Sequence, residues 1–315
     1  MHFKPARTMA RTAAFGAVLV LGLGSAQAAM AQPVYHVLCN ADALDYALSH
    51  VSSGSTLSLA NRCTYSLPAG LTDDVVTLTI VGNGATLQGG GPDSDYPILT
   101  VIDGSALTLD DVNFSGGSAV KGGAIYSDGN VTVNGGTFSH NTGGDGGAIY
   151  TGNLLTINGA VFTSNEGMKG GAIDGDSADT TITGAKFSQN KAADGGGAIW
   201  VQYVVTVADS AFDGNAAEYG GAIYNHDHLT LTNVTGLAGT GDAFTGNVAY
   251  QGGAIYNYDG VVGGAIIGDS MIVFNEASDV GGGIYNACNA IFTLSDSSVF
   301  GNMTDNIYNE DDCSV

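Results

Sequence analysis

The chain has 315 residues with only eight Lys and Arg against 30 Asp and Glu, a formal charge of −22 and an isoelectric point near 4.1. Three of the basic residues, Lys4, Arg7 and Arg11, fall in the first eleven positions, so residues 32–315 keep five against all 30 acids, a net charge of −25. That balance excludes nucleic acid and anionic membrane surfaces as partners, because both would be repelled at long range.

Residues 1–31 read as an export signal, with the basic start, an apolar centre over Ala13 to Leu23, and small-x-small cleavage options at Ala26-Gln27-Ala28 and Ala29-Met30-Ala31. The apolar run is too short for a stop-transfer helix, and no later stretch reaches about 18 uninterrupted apolar residues, so no integral membrane segment is expected after processing. The expected location is secreted or cell surface.

Residues 32–56 are expected to form an N-terminal cap. Leu44, Ala47, Leu48 and Val51 recur at helical spacing behind Asn40, a good N-cap residue, which predicts a short amphipathic helix over 40–51. A stack of β-coils exposes an apolar cross-section at each end, and a helix laid across it removes the exposure.

Residues 57–315 are expected to be one β-solenoid: degenerate coils to 106, regular repeats over 107–302 and a C-terminal cap over 303–315. Leu107-Thr108-Leu109, Val131-Thr132-Val133, Leu155-Thr156-Ile157, Thr180-Thr181-Ile182, Val205-Thr206-Val207 and Leu229-Thr230-Leu231 recur in step. Phe-x-x-Asn follows as Phe138 to Asn141, Phe162 to Asn165, Phe187 to Asn190, Phe212 to Asn215 and Phe244 to Asn247. Gly-Gly-Ala-Ile ends at Ile125, Ile149, Ile173, Ile199, Ile223 and Ile255, then Gly-Gly-Gly-Ile at Ile284, in steps of 24, 24, 26, 24, 32 and 29 residues. One more Gly-Gly-Ala-Ile, ending at Ile266, falls off the beat. Self-similarity at this period means a stacked array. Alternation turns the outer residues of each triplet, the Phe and the Ile inward, giving three short strands per coil of about 24 residues, an all-β parallel β-helix. The Asn belongs in a turn, where its amide can bond backbone and the next Asn of the file.

Two lengthenings break the period, one around Gly236 to Ala243 and one between Tyr256 and Ala265, and both are expected to be loops outside the stack. Cys39 and Cys63 are 24 residues apart, and Cys288 and Cys313 are 25 apart, so each pair sits one coil apart and predicts a disulfide at each end.

The paired words Gly-Gly-Ala-Ile and Phe-x-x-Asn, over about Phe114 to Asn302, resemble the repeats of the polymorphic outer membrane protein family of chlamydial-type autotransporter passengers. The resemblance implies a right-handed parallel β-helix, secreted or on the cell surface, with adhesion or interaction as its role. Because the last coil lies close to Val315, the expectation is a free secreted relative without a translocating barrel.

The candidate binding residues follow the isoleucines. Tyr126, Tyr150, Trp200, Tyr224, Tyr256 and Tyr285 take the next, outward position, with Asp174 the one break. An exposed aromatic file could stack on sugar rings or anchor a protein, or it could simply stabilise the sheet. Lateral self-association is kept open. A parallel file of threonines from Thr108 to Thr230 is accounted for by β-propensity.

No catalytic residue is assigned. Asp174 and Asp176, or Asp93 and Asp95, could make a glycosidase pair, so a polysaccharide-active lyase or hydrolase stays the alternative to a non-catalytic binder. His226-Asp227-His228 lacks a third ligand fixed by spacing, so no metal site is named. No cofactor is expected, with calcium on turn aspartates and carbonyls kept open. Lys121, Asp145, Lys169 and Asp194, each before a glycine pair, are expected to alternate as an ion-pair file up one edge.

Overall fold

The computed structural model describes residues 32–176, 179–234, 244–258 and 264–310. The expected export signal at residues 1–31, the lengthening at 236–243, residues 259–263 of the second lengthening, Cys313 and the last residues of the C-terminal cap lie outside them.

Every coil lays its strands against the next in parallel register, producing a parallel β-solenoid. The triplets form an eleven-stranded sheet from Val34–Val37 to Ile291–Ser295, and the Phe-bearing strands a ten-stranded sheet from Thr64–Ser66 to Ser298–Phe300. The strands after the glycine pairs form a third sheet of ten, from Leu71–Asp73 to Ile307–Asn309. The repeated words therefore mark the three sheets.

A fourth strand in several coils is an addition to that reading. Ser118–Lys121, Thr142–Asp145, Glu166–Lys169 and Lys191–Gly195 pair into a further sheet, and Val248–Gln251 pairs with Glu276–Val280. These segments carry no apolar alternation to announce them. They pair because their neighbours above and below place complementary backbone groups at strand spacing.

Like residues stack inside. Phe114, Phe138, Phe162, Phe187, Phe212 and Phe244 are fully buried, with successive ring centroids 4.6–4.9 Å apart. Each ring contributes on the order of 1.5–3 kcal/mol by leaving water. Beside them runs an amide ladder. Asn165 donates its backbone N–H and its Nδ2 to Asn190 Oδ1 (3.1 and 2.9 Å), and Nδ2 also donates to the Phe138 carbonyl (2.9 Å). The arrangement repeats through Asn141, Asn190, Asn215, Asn247 and Asn275. Gly117 N–H donates to Asn141 Oδ1 at one end (3.0 Å). At the other, Asn302 donates N–H and Nδ2 to Asn306 Oδ1 (3.2 and 3.1 Å), only four residues on.

The glycine pairs have two different reasons. The first, as in Gly146 and Gly170, holds a positive φ (64° and 59°). The second is a close approach: a Cβ on Gly171 would sit 2.1 Å from the Gly197 carbonyl oxygen of the next coil. The off-beat Gly264-Ala265-Ile266 belongs instead to the first sheet, opposite His228-Leu229-Thr230, where Ala265 is buried and Ile266 faces out. Register, not the letters alone, decides which face a residue takes.

Helix Ala41–Leu48 closes the first coil, with Leu44 and Leu48 buried and Asn40 Oδ1 accepting from the Ala43 N–H at 2.9 Å. It ends at Leu48 with Ser49 as C-cap, where the Ala47 carbonyl is shared between the His50 and Val51 N–H groups and the Ser49 hydroxyl donates to the Asp45 carbonyl. Cys39 and Cys63 are disulfide-bonded, their Cα atoms 5.7 Å apart. Tyr65, fully buried, donates its hydroxyl to the Val37 carbonyl and ties the cap to the same coil.

Candidate ligand-binding face

The outward file of the third sheet is in register from end to end. Thr72 faces Thr100, which faces Tyr126, and the file continues through Tyr150, Asp174, Trp200, Tyr224, Tyr256, Tyr285 and Tyr308. Strand spacing is close to the thickness that stacked rings need, so the rings lie parallel: Tyr126–Tyr150 at 5.5 Å, Trp200–Tyr224 at 4.0 Å, Tyr224–Tyr256 at 5.1 Å and Tyr256–Tyr285 at 4.6 Å.

This file is not the open row that alternation predicts. Tyr150, Trp200, Tyr224 and Tyr285 are only 5–8% exposed, while Tyr126 and Tyr256 are half-buried. Three things cover them. Each ring covers its neighbours; Lys121 Nζ lies 3.9 Å above the Tyr150 ring and Lys169 Nζ 5.0 Å above Trp200; and Tyr219 packs edge-on against Tyr256 at 5.3 Å. The covering groups come from or beside the fourth strand. Most of the ladder is therefore a second, external core.

Lys121 pairs with Asp145 at 3.6 Å, but the expected file of ion pairs stops there among the described residues. A register shift between Gly167 and Lys169 sets Gly195, not Asp194, opposite Lys169. Lys169 turns to the Trp200 ring instead.

Asp174 stands on a rung where every neighbour is aromatic. It is 1% exposed, its Oδ1 has no hydrogen-bond partner, and burial followed by repulsion from Asp145 and Asp176 pushes its pKa up to about 8. Trp200 Nε1, on the next rung, is likewise buried without a partner. Asp176 accepts from the Tyr150 hydroxyl at 2.6 Å, and burial, followed by that bond, raises the tyrosine's pKa. Asp174 thus faces protein rather than a substrate cleft, while Asp93 and Asp95 lie on an exposed turn.

The solvent-facing aromatics are ones that the repeat words do not mark. Tyr250 is 48% exposed and packs edge-on to Tyr219; Tyr258 is 40% exposed and stacks on Tyr224 and His226. Tyr219 and Tyr250 sit on or beside the fourth strand, and their one sequence signal is that aromatics recur 31 residues apart in segments without apolar alternation. His228 Nδ1 lies 2.6 Å from Asp227, and among the described residues no three His, Cys, Asp or Glu side chains converge on a metal position. No helix there is long and apolar enough to cross a membrane.

Four segments, residues 135–152, 185–202, 209–226 and 243–258, match the Chlamydia polymorphic membrane protein repeat. Each holds one Phe-x-x-Asn, one Gly-Gly-Ala-Ile and one rung of the ladder, so the matched unit is one coil's core, amide and outer ring together. The chain carries that repeat on a parallel β-solenoid, as the paired words imply. No curated protein matches the chain at a significant level.

Proposed function

We propose that this solenoid of polymorphic membrane protein repeats is an exported, surface-exposed, adhesin-like protein that holds a glycan or protein partner along its aromatic edge. The observation that carries the reading is the division of the aromatic file: a sealed ladder provides rigidity, while Tyr250, Tyr258 and Tyr219 present ring faces and hydroxyls beside it. Tyrosine suits such contacts because it offers a large, stiff, amphipathic surface at low entropic cost. The density of acidic groups keeps the rod soluble and biases it away from anionic partners.

The test is a glycan-array and host-surface binding screen of the oxidised protein with and without calcium, with each bound polysaccharide then incubated and examined for cleavage. Binding without cleavage supports the reading; cleavage would move it to a polysaccharide-active enzyme. The Tyr250→Ala, Tyr258→Ala double variant should lose at least tenfold in affinity with an unchanged circular dichroism spectrum. Tyr224 is not suited to this test, because its burial makes truncation a stability change.

A further inference from the structure

The aromatic ladder has an unfinished end. Tyr126 is stacked by Tyr150 on one face, but the two preceding rungs are Thr100 and Thr72, so among the described residues no ring covers its other face. A shallow, open cavity of about 350 Å³ lies at that point. Its lining joins Tyr126 and Thr100 to the apolar Pro97, Ala119 and Val120 and to the charged Asp95 and Lys121.

We infer that this cavity is a subsite for a neutral pyranose ring, which stacks on the open face of Tyr126 as the missing rung of the ladder. The inference rests on reading the protein as a glycan-holding surface protein, and names where one sugar sits and of what kind.

Several features agree on that occupant. The Tyr126 hydroxyl donates to both carboxylate oxygens of Asp128, at 2.9 and 3.0 Å, so the platform is held before any ligand arrives. The C–H face of a pyranose is apolar and matches the ring and the Pro97, Ala119 and Val120 sides, while its hydroxyls both donate and accept. Asp95 supplies an acceptor, and Lys121, which also pairs with Asp145, a donor. A phenyl ring would fill the space but use neither group, whereas a sugar hydroxyl can bond both. A uronic or phosphorylated sugar would enter against the field of a chain with a net charge of −25.

The ladder supplies its own blocking variant. Thr100→Tyr places a ring on the empty rung, where strand spacing stacks it on Tyr126 in the ligand's place, and Thr100 is half-exposed, so the change fits without disturbing the core. The experiment is saturation-transfer-difference NMR of the full protein with glucose, galactose, mannose, N-acetylglucosamine, galacturonate and phenol, on wild type, Thr100→Tyr and Tyr126→Ala. At least one neutral sugar should show transfer strongest at one C–H face. That transfer should fall at least fivefold in both variants, with thermal unfolding of Thr100→Tyr unchanged or raised. A preference for galacturonate or for phenol overturns the inference. So does neutral-sugar transfer indifferent to both variants, which leaves the wider glycan reading standing. No transfer from any sugar, with no glycan bound on the array, defeats both together.

Discussion

Asp174 is the residue whose environment contradicts its chemistry most sharply. Its folded pKa, about 8, lies far above that of an exposed Asp, so the folded protein holds a proton that the unfolded chain has released. Stability from this group is fully present below about pH 4, declines as pH rises, and is lost once pH passes about 8. Asp174→Asn should raise the unfolding temperature at pH 7.5, through a gain in stability on the order of a few kcal/mol, and leave it unchanged at pH 4. A melting series from pH 4 to 9 checks this, because the repulsion among the other acids is common to both proteins. Asn190 is the opposite case, with every polar atom used: its Oδ1 accepts twice from Asn165 and its Nδ2 donates to Asn215 and to the Phe162 carbonyl. Asn190→Ala strands those partners in a buried file and should lower the urea-unfolding free energy by about 2–4 kcal/mol. Asn302→Ala, less buried at the end of the file, should cost visibly less.

Each element of a coil depends on one left-handed corner. The residue before the ladder Asn has a positive φ in every coil from Asn141 on: His140, Ser164 and Gln189, then Gly214 and Gly246, then Phe274 and Gly301. Phe274 is the costliest occupant, an exposed aromatic at φ 56° where neighbouring coils use glycine. Phe274→Gly should stabilise by about 0.5–1 kcal/mol, read as a shift in denaturation midpoint at constant m-value, after the added freedom of the unfolded glycine is subtracted. The cap is held differently. Reducing Cys39–Cys63 reopens a loop of 24 residues, which costs about 3 kcal/mol, and should release the helix Ala41–Leu48 first, seen as early amide exchange there with Phe162 and Phe187 strands still protected. Of these elements, the three sheets and the helix were legible because Leu-Thr-Leu, Phe, Gly-Gly-Ala-Ile and the Leu44/Leu48 pair each carry an apolar period. The fourth strand was not, since Thr-Gly-Gly-Asp and Glu-Gly-Met-Lys have none. For the same reason the covering of Tyr150 and Trp200 was invisible: it depends on Lys121 and Lys169 reaching across coils, and on a one-residue shift near Gly167. The open face of Tyr126 became legible only once Thr100 and Thr72 were known to share its file.

At the scale of the whole solenoid, stability is a sum of near-identical coils and the contacts between them. Deleting Thr142 to Asn165 removes one period and brings Phe138 to Phe187, Asn141 to Asn190 and Ile173 into the place of Ile149, so the phenylalanine and amide ladders close again, while Asp174 takes the rung of Tyr150 beside Tyr126. That variant should fold with the wild-type circular dichroism shape and unfold cooperatively at a lower temperature, whereas a twelve-residue deletion starting at Thr142 should not fold. The amide ladder also has a direction, since each Asn donates forward and accepts from behind. An unfinished stack therefore always presents a bare donor at its C-terminal face, an invitation that the next coil, or another molecule's coil, could answer. Asn306 withdraws it: by curling back within four residues to accept from both the N–H and the Nδ2 of Asn302, it serves as a terminator that ends the file inside the chain.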